Sequence, residues 1–238
     1  ELKRALYRAL TELTGKALPW GTLTGIRPAK LALTRLQEGK SADEVRAEFK
    51  RDFFLSDARN ELCVRTAENE LRAIRGLDFS TGYSLYIGIP FCPTTCLYCS
   101  FPSYPIGSKK STAYLAALKE EIRLVAELMA EKRLDAIYVG GGTPTSLSAA
   151  ELEDLLGFVR GLFDLSALRE FTVEAGRPDS ISREKLIVLK EQGADRISIN
   201  PQTLKQETLD LIGRFHTVDQ FTESFRLARE LGFDNINT

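Results

Sequence analysis

The sequence of 238 residues has little net charge and no long apolar run. Its 32 lysines and arginines nearly balance 33 aspartates and glutamates, so it lacks the basic field that attracts nucleic acid or acidic membranes. No stretch approaches the roughly 18 apolar residues of a membrane-spanning helix, and the N-terminus lacks the pattern of a signal peptide. We therefore expect a cytoplasmic protein with no nucleic-acid partner and no membrane span.

Cysteine is also scarce, and its distribution is uneven. Three of the four cysteines, Cys92, Cys96 and Cys99, lie within a single short segment. Small secreted domains instead spread an even set of cysteines along the chain to form disulfides. The clustering indicates a group of thiolate ligands in a reducing compartment.

Residues 1–80 form the first of two expected regions. Apolar residues recur there at helical spacing, which predicts a small helical segment. The predicted helices lie within Leu2–Leu13, Ile26–Leu36, Ala42–Phe49 and Leu62–Ile74. Residues 76–82, which begin and end with glycine, read as a linker to the second region.

Residues 83–238 alternate short apolar strands with amphipathic helices. Such alternation predicts parallel strands joined by crossover helices, hence an α/β fold with a barrel or a doubly wound sheet. The predicted strands are Leu85–Ile89, Ala136–Val139, Phe171–Glu174, Arg196–Ile199 and Asn235–Asn237; the predicted helices include Ser111–Lys132, Asp179–Lys190, Leu204–Ile212 and Val218–Leu231. The chain lacks an initial methionine and stops just after a strand, so we expect both ends to be cut from a longer protein.

The cysteine segment directly follows the first predicted strand. Three thiolates at C-x-x-x-C-x-x-C spacing can each bind one iron of an iron-sulfur cube, which leaves the fourth iron open to another ligand. A structural zinc site is the first alternative, but it normally takes four ligands, and the distant candidates are Cys63 and His216. A redox disulfide between Cys96 and Cys99 is the second, and it leaves Cys92 without a role.

The ends of the later strands carry glycine and polar residues, as expected where a β/α barrel places its functional residues. The second strand ends in Gly-Gly-Gly-Thr-Pro-Thr over 140–145, and the third ends at Glu174. Gln202 follows the fourth strand, and Arg214 follows the next helix. Taken singly, the glycines could form a tight turn and the polar residues could be solvated.

Together these motifs resemble the radical S-adenosylmethionine (SAM) superfamily. The likeness rests on the cysteine spacing, with Tyr86 six residues before the first cysteine and Tyr98 just before the third. The segment Tyr86–Cys92 and the glycine motif are similar to the oxygen-independent coproporphyrinogen III oxidase-like family. The segment Gly-Thr-Leu-Thr-Gly-Ile-Arg-Pro-Ala-Lys at 21–30 is similar to the HemZ group of that family.

The resemblance implies a partial (β/α)6 TIM-like barrel, truncated at the C-terminus, that holds a [4Fe-4S] cluster and SAM. It implies that Cys92, Cys96 and Cys99 bind the cluster, and that the open iron chelates SAM, whose reductive cleavage gives a 5′-deoxyadenosyl radical. The implied SAM-contacting residues are Tyr86, Tyr98, Gly141, Gly142, Thr143, Glu174, Gln202 and Arg214. No residue is assigned as a catalytic acid or base.

Two positions bear on the substrate. The authentic oxidases usually have histidine at the position of Gly88 and a further cysteine at the position of Phe101. The resemblance implies oxidative decarboxylation of coproporphyrinogen III to protoporphyrinogen IX; the alternative is a haem-binding carrier or chaperone of the same family. The expected partners are a porphyrinogen or haem and a reductant protein such as flavodoxin or ferredoxin.

Overall fold

The computed structural model describes residues 1–25 and 27–238, with Ser108 and Lys109 described by their backbone alone. The chain folds into two compact units, Glu1–Leu77 and Asp78–Thr238. No described helix is both long enough and apolar enough to cross a membrane.

The first unit is helical. Its helices are α1 (Leu2–Thr14), α2 (Pro28–Gln37), α3 (Ala42–Phe53) and α4 (Asp57–Ala73). The backbone N–H of Glu44 donates a hydrogen bond to the Ser41 hydroxyl, and the backbone N–H of Ser41 donates one to the Glu44 carboxylate. This capping box fixes the start of α3. The four predicted helices are therefore confirmed with shifted ends, except that Ile26 lies outside the described residues.

The core of this unit is a small apolar cluster. It includes Val45, Phe49 and Val64, which are completely buried, and the thiol of Cys63, which is 2% exposed. Burial raises the pKa of Cys63 to about 11, so the thiol is protonated and apolar at neutral pH. Cys63, a distant candidate for a zinc ligand, is thus a packing residue of this unit.

The second unit contains a parallel sheet of five strands. The strands are β1 (Gly82–Ile89), β4 (Arg133–Gly141), β5 (Glu170–Glu174), β6 (Arg196–Ser198) and β7 (Asn235–Asn237), and they lie side by side in chain order. The crossover helices are α5 (Ser108–Leu128), α6 (Ala149–Leu162), α7 (Arg183–Glu191), α8 (Gln206–Leu211) and α9 (Val218–Glu230). This arrangement confirms the α/β fold with the sequential strand order of a partial TIM-like barrel.

The strand register gives the sheet two chemically different faces. Ile87, Val139, Val173 and Ile197 are paired across successive strands, and all are at most 1% exposed. On the opposite face the paired positions carry Tyr86, Tyr138 and Thr172, followed by Glu174 beside Ser198. The apolar face forms the core with the helices, while the polar face is left to line a site.

Two features depart from the predicted elements. The prediction of a single helix over Asp179–Lys190 was wrong. Pro178–Ser180 forms a 3-10 turn, and the Ser182 side chain caps the start of α7. A second, two-stranded parallel sheet was not foreseen; it pairs β2 (Phe91–Cys92) with β3 (Tyr104–Pro105). Strands of two residues are too short for a periodic pattern to reveal them.

Candidate active site

One cavity of about 320 Å³ collects every residue that the sequence assigned to the site. It opens beyond the carboxyl ends of β1, β4, β5 and β6, where barrel enzymes place their functional groups. Its walls include the predicted residues Tyr86, Cys92, Cys96, Tyr98, Cys99, Gly141, Gly142, Thr143, Glu174, Gln202 and Arg214. These residues come from separate parts of the chain, and parallel strand order brings them together.

The cysteine loop is held at both ends. On one side, β2 pairs with β3, and the N–H of Ile106 donates to the carbonyl of Cys92 at 3.0 Å. On the other, the N–H of Leu97 donates to the carbonyl of Ile212 at 3.0 Å, just past α8. The three thiols are each partly exposed, so they are fixed in position and still open to the cavity.

The glycine motif packs directly against the cysteine loop. The N–H of Gly142 donates to Ile89 and that of Thr143 to Phe91. A Cβ at Gly142 would lie 2.7 Å from the carbonyl oxygen of Phe91 and 3.0 Å from the sulfur of Cys92. Gly142 therefore leaves the space that Cys92 occupies, and a larger residue would displace the thiol.

Gly141 has a different requirement. Its φ of 108° lies in a region that residues with side chains rarely adopt. A Cβ there would also lie 3.1 Å from the backbone of Ile89. The glycines thus form the tight turn at the end of β4 that was one of the two possibilities for this motif. The same turn places the backbone of Gly141 and Gly142 in the cavity wall.

Glu174 ends β5 within a group of aromatic side chains. The Tyr138 hydroxyl donates to its carboxylate, and the rings of Tyr138 and Tyr86 stack with their centroids 5.9 Å apart. Burial, together with the hydrogen bond to Glu174, raises the pKa of Tyr138. Tyr138 is therefore a stable hydrogen-bond donor that orients one oxygen of Glu174.

Arg214 is 5% exposed and is held by backbone carbonyls on two sides. Its Nη2 donates to Gly176 and to Asn200, both at 2.9 Å, while Nη1 lies 4.0 Å from the sulfur of Cys96. Its buried Nε has no partner among the described residues. A buried guanidinium with unused donors beside a cavity is suited to an anionic ligand.

Gln202 has a φ of 63°, which is uncommon for a residue with a side chain. Backbone strain of this kind tends to occur at functional sites. The adjacent loop carries His216, which is completely buried, with Nε2 3.3 Å from the carbonyl oxygen of Pro201. Burial and the nearby Arg214 lower the pKa of His216. His216, the other distant candidate for a zinc ligand, does not line the cavity.

The structure adds cavity residues that were not assigned to the cofactor site from the sequence. They are Thr94, Phe101, Ser103, Tyr138, Gly176, Arg177 and Asn200. Tyr138 could have been found, because it faces the same way as Tyr86 once the strand register is known. Arg177 carries no comparable signal, since an arginine in a turn is usually solvated.

The three thiols line one cavity, and thiolates can bind there either one metal ion or an iron-sulfur cluster. Among the described residues, no three histidine, cysteine, aspartate or glutamate side chains are grouped closely enough to hold one metal ion. Zinc needs its sulfur ligands about 2.3 Å from one centre, whereas three thiolates on an iron-sulfur cube bind three different irons. The three cysteines line one cavity, Gly142 leaves room for the Cys92 thiol at the cavity wall, and the buried Nε of Arg214 has no partner among the described residues. This set of residues fits a cluster with an anionic ligand.

Comparison with known proteins decides the family. The model of the radical SAM superfamily matches residues 86–238, which include the cysteine loop and the complete sheet apart from the start of β1. The chain belongs to the radical SAM superfamily. Its cofactors are therefore a [4Fe-4S] cluster and SAM, and the resemblance seen in the cysteine and glycine motifs is confirmed.

Three relatives refine this placement. The oxygen-independent coproporphyrinogen-III oxidase-like protein HemZ of Bacillus subtilis is 44% identical over 98% of this chain and 47% of its own length. The heme chaperone HemW of the same organism is 44% identical over 65% of the chain and 41% of its own length. The structure of coproporphyrinogen III oxidase (HemN) from Escherichia coli aligns with a TM-score of 0.60 and 29% identity, covering 71% of this chain and 39% of that one.

These comparisons support a HemZ- and HemN-like radical SAM protein. The chain spans about half the length of the curated relatives it matches. One relative is named as an oxidase-like protein and another as a chaperone, so the names point to two different activities.

Proposed function

We propose that this chain is the core of a radical SAM oxidoreductase that converts coproporphyrinogen III to protoporphyrinogen IX by oxidative decarboxylation. The observation that carries the proposal is the single cavity in which three thiols, a glycine-rich wall, Glu174 and Arg214 meet. The names of the HemZ and HemN relatives support the choice of a porphyrinogen as substrate.

In this proposal Cys92, Cys96 and Cys99 bind three irons of the cluster. With three cysteines as ligands, one iron of the cluster would be left open to SAM. When bound, the cluster and SAM supply the radical chemistry, and the protein places them and excludes side reactions. The two backbone hydrogen bonds that anchor the cysteine loop restrict the positions that its thiols can take.

The remaining predicted residues hold SAM. The Arg214 guanidinium binds the SAM carboxylate, to which its unpartnered Nε and its Nη1 can donate. Glu174, oriented by Tyr138, accepts from a donor group of the cofactor, and Gln202 contacts the ribose. The backbone of Gly141, Gly142 and Thr143 meets the amino group, while Tyr86 and Tyr98 supply aromatic walls.

A haem carrier or chaperone is the second candidate. Phe101 is 70% exposed and lies in the cavity wall at the position where the authentic oxidases carry a further cysteine. Gly88 stands where they usually carry histidine. An exposed aromatic ring suits a flat apolar macrocycle, and the identity with the heme chaperone HemW favours the same reading.

The test uses the full-length protein that contains this chain, reconstituted with iron and sulfide without oxygen. It is incubated with SAM, a low-potential reductant and coproporphyrinogen III, and tetrapyrrole products and 5′-deoxyadenosine are quantified. The oxidase proposal expects protoporphyrinogen IX, with 5′-deoxyadenosine formed in proportion. Stoichiometric haem binding without conversion of coproporphyrinogen would replace it with the carrier proposal.

The wider setting is also proposed. We infer that a flavodoxin or ferredoxin donates the electron. We also infer that the protein works in the cytoplasm, because its cysteines are free and disulfides are rare in that compartment. The division into a helical segment at 1–80 and a radical SAM core at 83–238 stays a prediction about domains. Separate expression of residues 78–238 would test it through folding and cluster loading.

A further inference from the structure

Arg177 is a buried cation that none of the roles proposed above uses. It follows β5 in the segment Gly176–Asp179, and it is 2% exposed although arginine is rarely buried. Its Nε and Nη2 donate to the two carboxylate oxygens of Asp179 at 3.0 and 2.6 Å. Burying a guanidinium costs desolvation free energy, which the carboxylate and hydrogen-bond partners around Arg177 must offset.

The remaining donor of Arg177 points at the cysteine loop. Nη1 donates to the carbonyl and to the hydroxyl of Thr94, at 3.0 and 2.9 Å, and lies 3.8 Å from the sulfur of Cys96. Arg214 Nη1 lies 4.0 Å from the same sulfur. The sulfur of Cys96 therefore has two guanidinium groups beside it.

The surroundings of the other two thiols are different. The sulfur of Cys92 lies 3.4 Å from the hydroxyl of Thr143, and that of Cys99 lies 3.9 Å from the carbonyl of Phe101. Both of these neighbours are neutral. Both guanidinium contacts are thus made with the sulfur of Cys96, while the charge of Arg177 also acts on Cys92.

Charge at that position affects electron transfer. Reduction adds one negative charge to the cluster, and the reduction potential of an iron-sulfur cluster depends on net charge and on hydrogen bonds to its sulfurs. A cation buried away from water acts with a low effective dielectric constant, so its charge is weakly screened. An arginine side chain stays protonated in proteins, so Arg177 keeps its positive charge beside the cysteine loop.

We propose that Arg177 is a positioning residue that holds a buried positive charge against Cys96 and thereby raises the reduction potential of the cluster. The inference rests on the proposed function, because it requires the cluster at Cys92, Cys96 and Cys99. The step is the transfer of one electron from a low-potential protein reductant of the flavodoxin or ferredoxin class; no bond forms or breaks. Asp179 partly offsets the charge of Arg177, and its side chain is 19% exposed.

Two substitutions should move the potential in opposite directions. Arg177→Gln removes the cation and leaves Asp179, so we expect at least a tenfold fall in the equilibrium constant of reduction, about 59 mV for one electron. Asp179→Asn leaves the cation unopposed, so the potential should rise. Arg177→Lys keeps the charge and should remain within about threefold of the unchanged protein in that equilibrium constant. General damage to the loop would not shift the first two variants in opposite directions.

The chain offers a matched control. Arg133 donates two hydrogen bonds to the carboxylate of Asp135, with the same two-residue spacing as Arg177 and Asp179. This second pair lies at the amino end of β4 and does not line the cavity. Arg133→Gln should leave the potential unchanged. A shift of the reduction potential in Arg133→Gln as large as that in Arg177→Gln would show that loss of any such ion pair has this effect, and it would overturn the role of Arg177.

The measurement is an EPR-monitored redox titration of the reconstituted full-length protein and its variants, with iron content determined for each. Opposite shifts in Arg177→Gln and Asp179→Asn support the proposal, and equal or absent shifts overturn it. If Arg177→Gln does not load a cluster, the Asp179→Asn shift decides: an increase supports the proposal and no increase overturns it. Failure of the unchanged protein to bind a cluster overturns the proposed function as well, whereas a normal cluster with unmoved potentials overturns this inference alone.

Discussion

The two faces of the parallel sheet are built from alternate residues of the same strands, yet they differ in almost every property. Ile87 is 1% exposed, whereas its neighbour Tyr86 is 61% exposed and stacks on Tyr138. On β5, Val173 is completely buried and the next residue, Glu174, lines the cavity. A strand shows this alternation because successive side chains point to opposite sides.

The difference teaches how a barrel protein separates stability from binding. The apolar face packs against the crossover helices, and its side chains belong to the hydrophobic core of this unit. The polar face leaves hydroxyl, carboxylate and aromatic groups free to meet a ligand. Substitutions on the two faces should therefore have effects of different kinds, which gives four ways to test the comparison.

The largest effect should follow loss of a thiol that faces the cavity. We expect Cys96→Ser to abolish SAM cleavage and to lower iron content sharply, because a serine hydroxyl is a poor ligand for iron in a cluster. Iron analysis and 5′-deoxyadenosine formation measure both effects. Cys63→Ser is the control, since Cys63 packs inside the helical unit; an equal loss in both variants would contradict the assignment of the cluster.

The next effect should be a loss of stability from the apolar face. Ile137 is 1% exposed in the centre of β4, and Ile137→Ala should cost about 2–5 kcal/mol of unfolding free energy through lost burial and a cavity. Chemical denaturation of the reconstituted protein measures this cost. The affinity of the folded fraction for SAM should stay within about twofold, and a larger change would show that the two faces are not independent.

A smaller effect should arise where the glycine motif meets the cysteine loop. Gly142→Ala places a Cβ against the Phe91 carbonyl and the Cys92 sulfur, and overpacking of this kind typically costs about 1–3 kcal/mol. We expect lower cluster occupancy, measured as iron and sulfide per chain. Gly161→Ala is the matched control, because its Cβ meets nothing within 4 Å and helix α6 favours alanine. Full occupancy in Gly142→Ala would disprove the close packing.

The smallest of the four effects concerns a single contact on the polar face. Glu174→Gln removes a charged acceptor, and we expect SAM to bind about tenfold more weakly, or about 1.4 kcal/mol. Equilibrium binding to the cluster-loaded protein measures it, with cluster loading unchanged. Glu170→Gln is the control on the same strand and face, since Glu170 pairs with Arg196 and does not line the cavity. Equal affinities in both variants would remove Glu174 from the cofactor site.

Much of this architecture could be predicted from the sequence because its signals are local. The strand Asn235–Asn237 agrees with the prediction at both ends, and the other four strands of the five-stranded sheet differ from the predicted strands only in length. The cysteine spacing and the glycine motif are contiguous in the chain, so their proximity in the cavity follows from parallel strand order. Gln202 and Arg214 could be placed only because a barrel brings strand ends together.

The parts that were missed depend on contacts between distant residues. Arg177 reaches Thr94 and Cys96 across more than 80 positions of sequence, and no periodicity encodes that contact. The pairing of β2 with β3 likewise joins the cysteine loop to Tyr104 through two short segments. Tyr138 became part of the site through strand register, since its ring stacks on Tyr86 from the neighbouring strand.

The most direct test of the account asks whether the thiols of Cys92, Cys96 and Cys99 hold a cluster with one iron open to SAM. The reconstituted, oxygen-protected protein should contain about four irons and four sulfides per chain. After reduction, its EPR spectrum should change when SAM is added, and this change should be absent in Cys96→Ser. A protein that binds one zinc and no sulfide, or a cluster whose spectrum SAM leaves unaltered, would contradict the account.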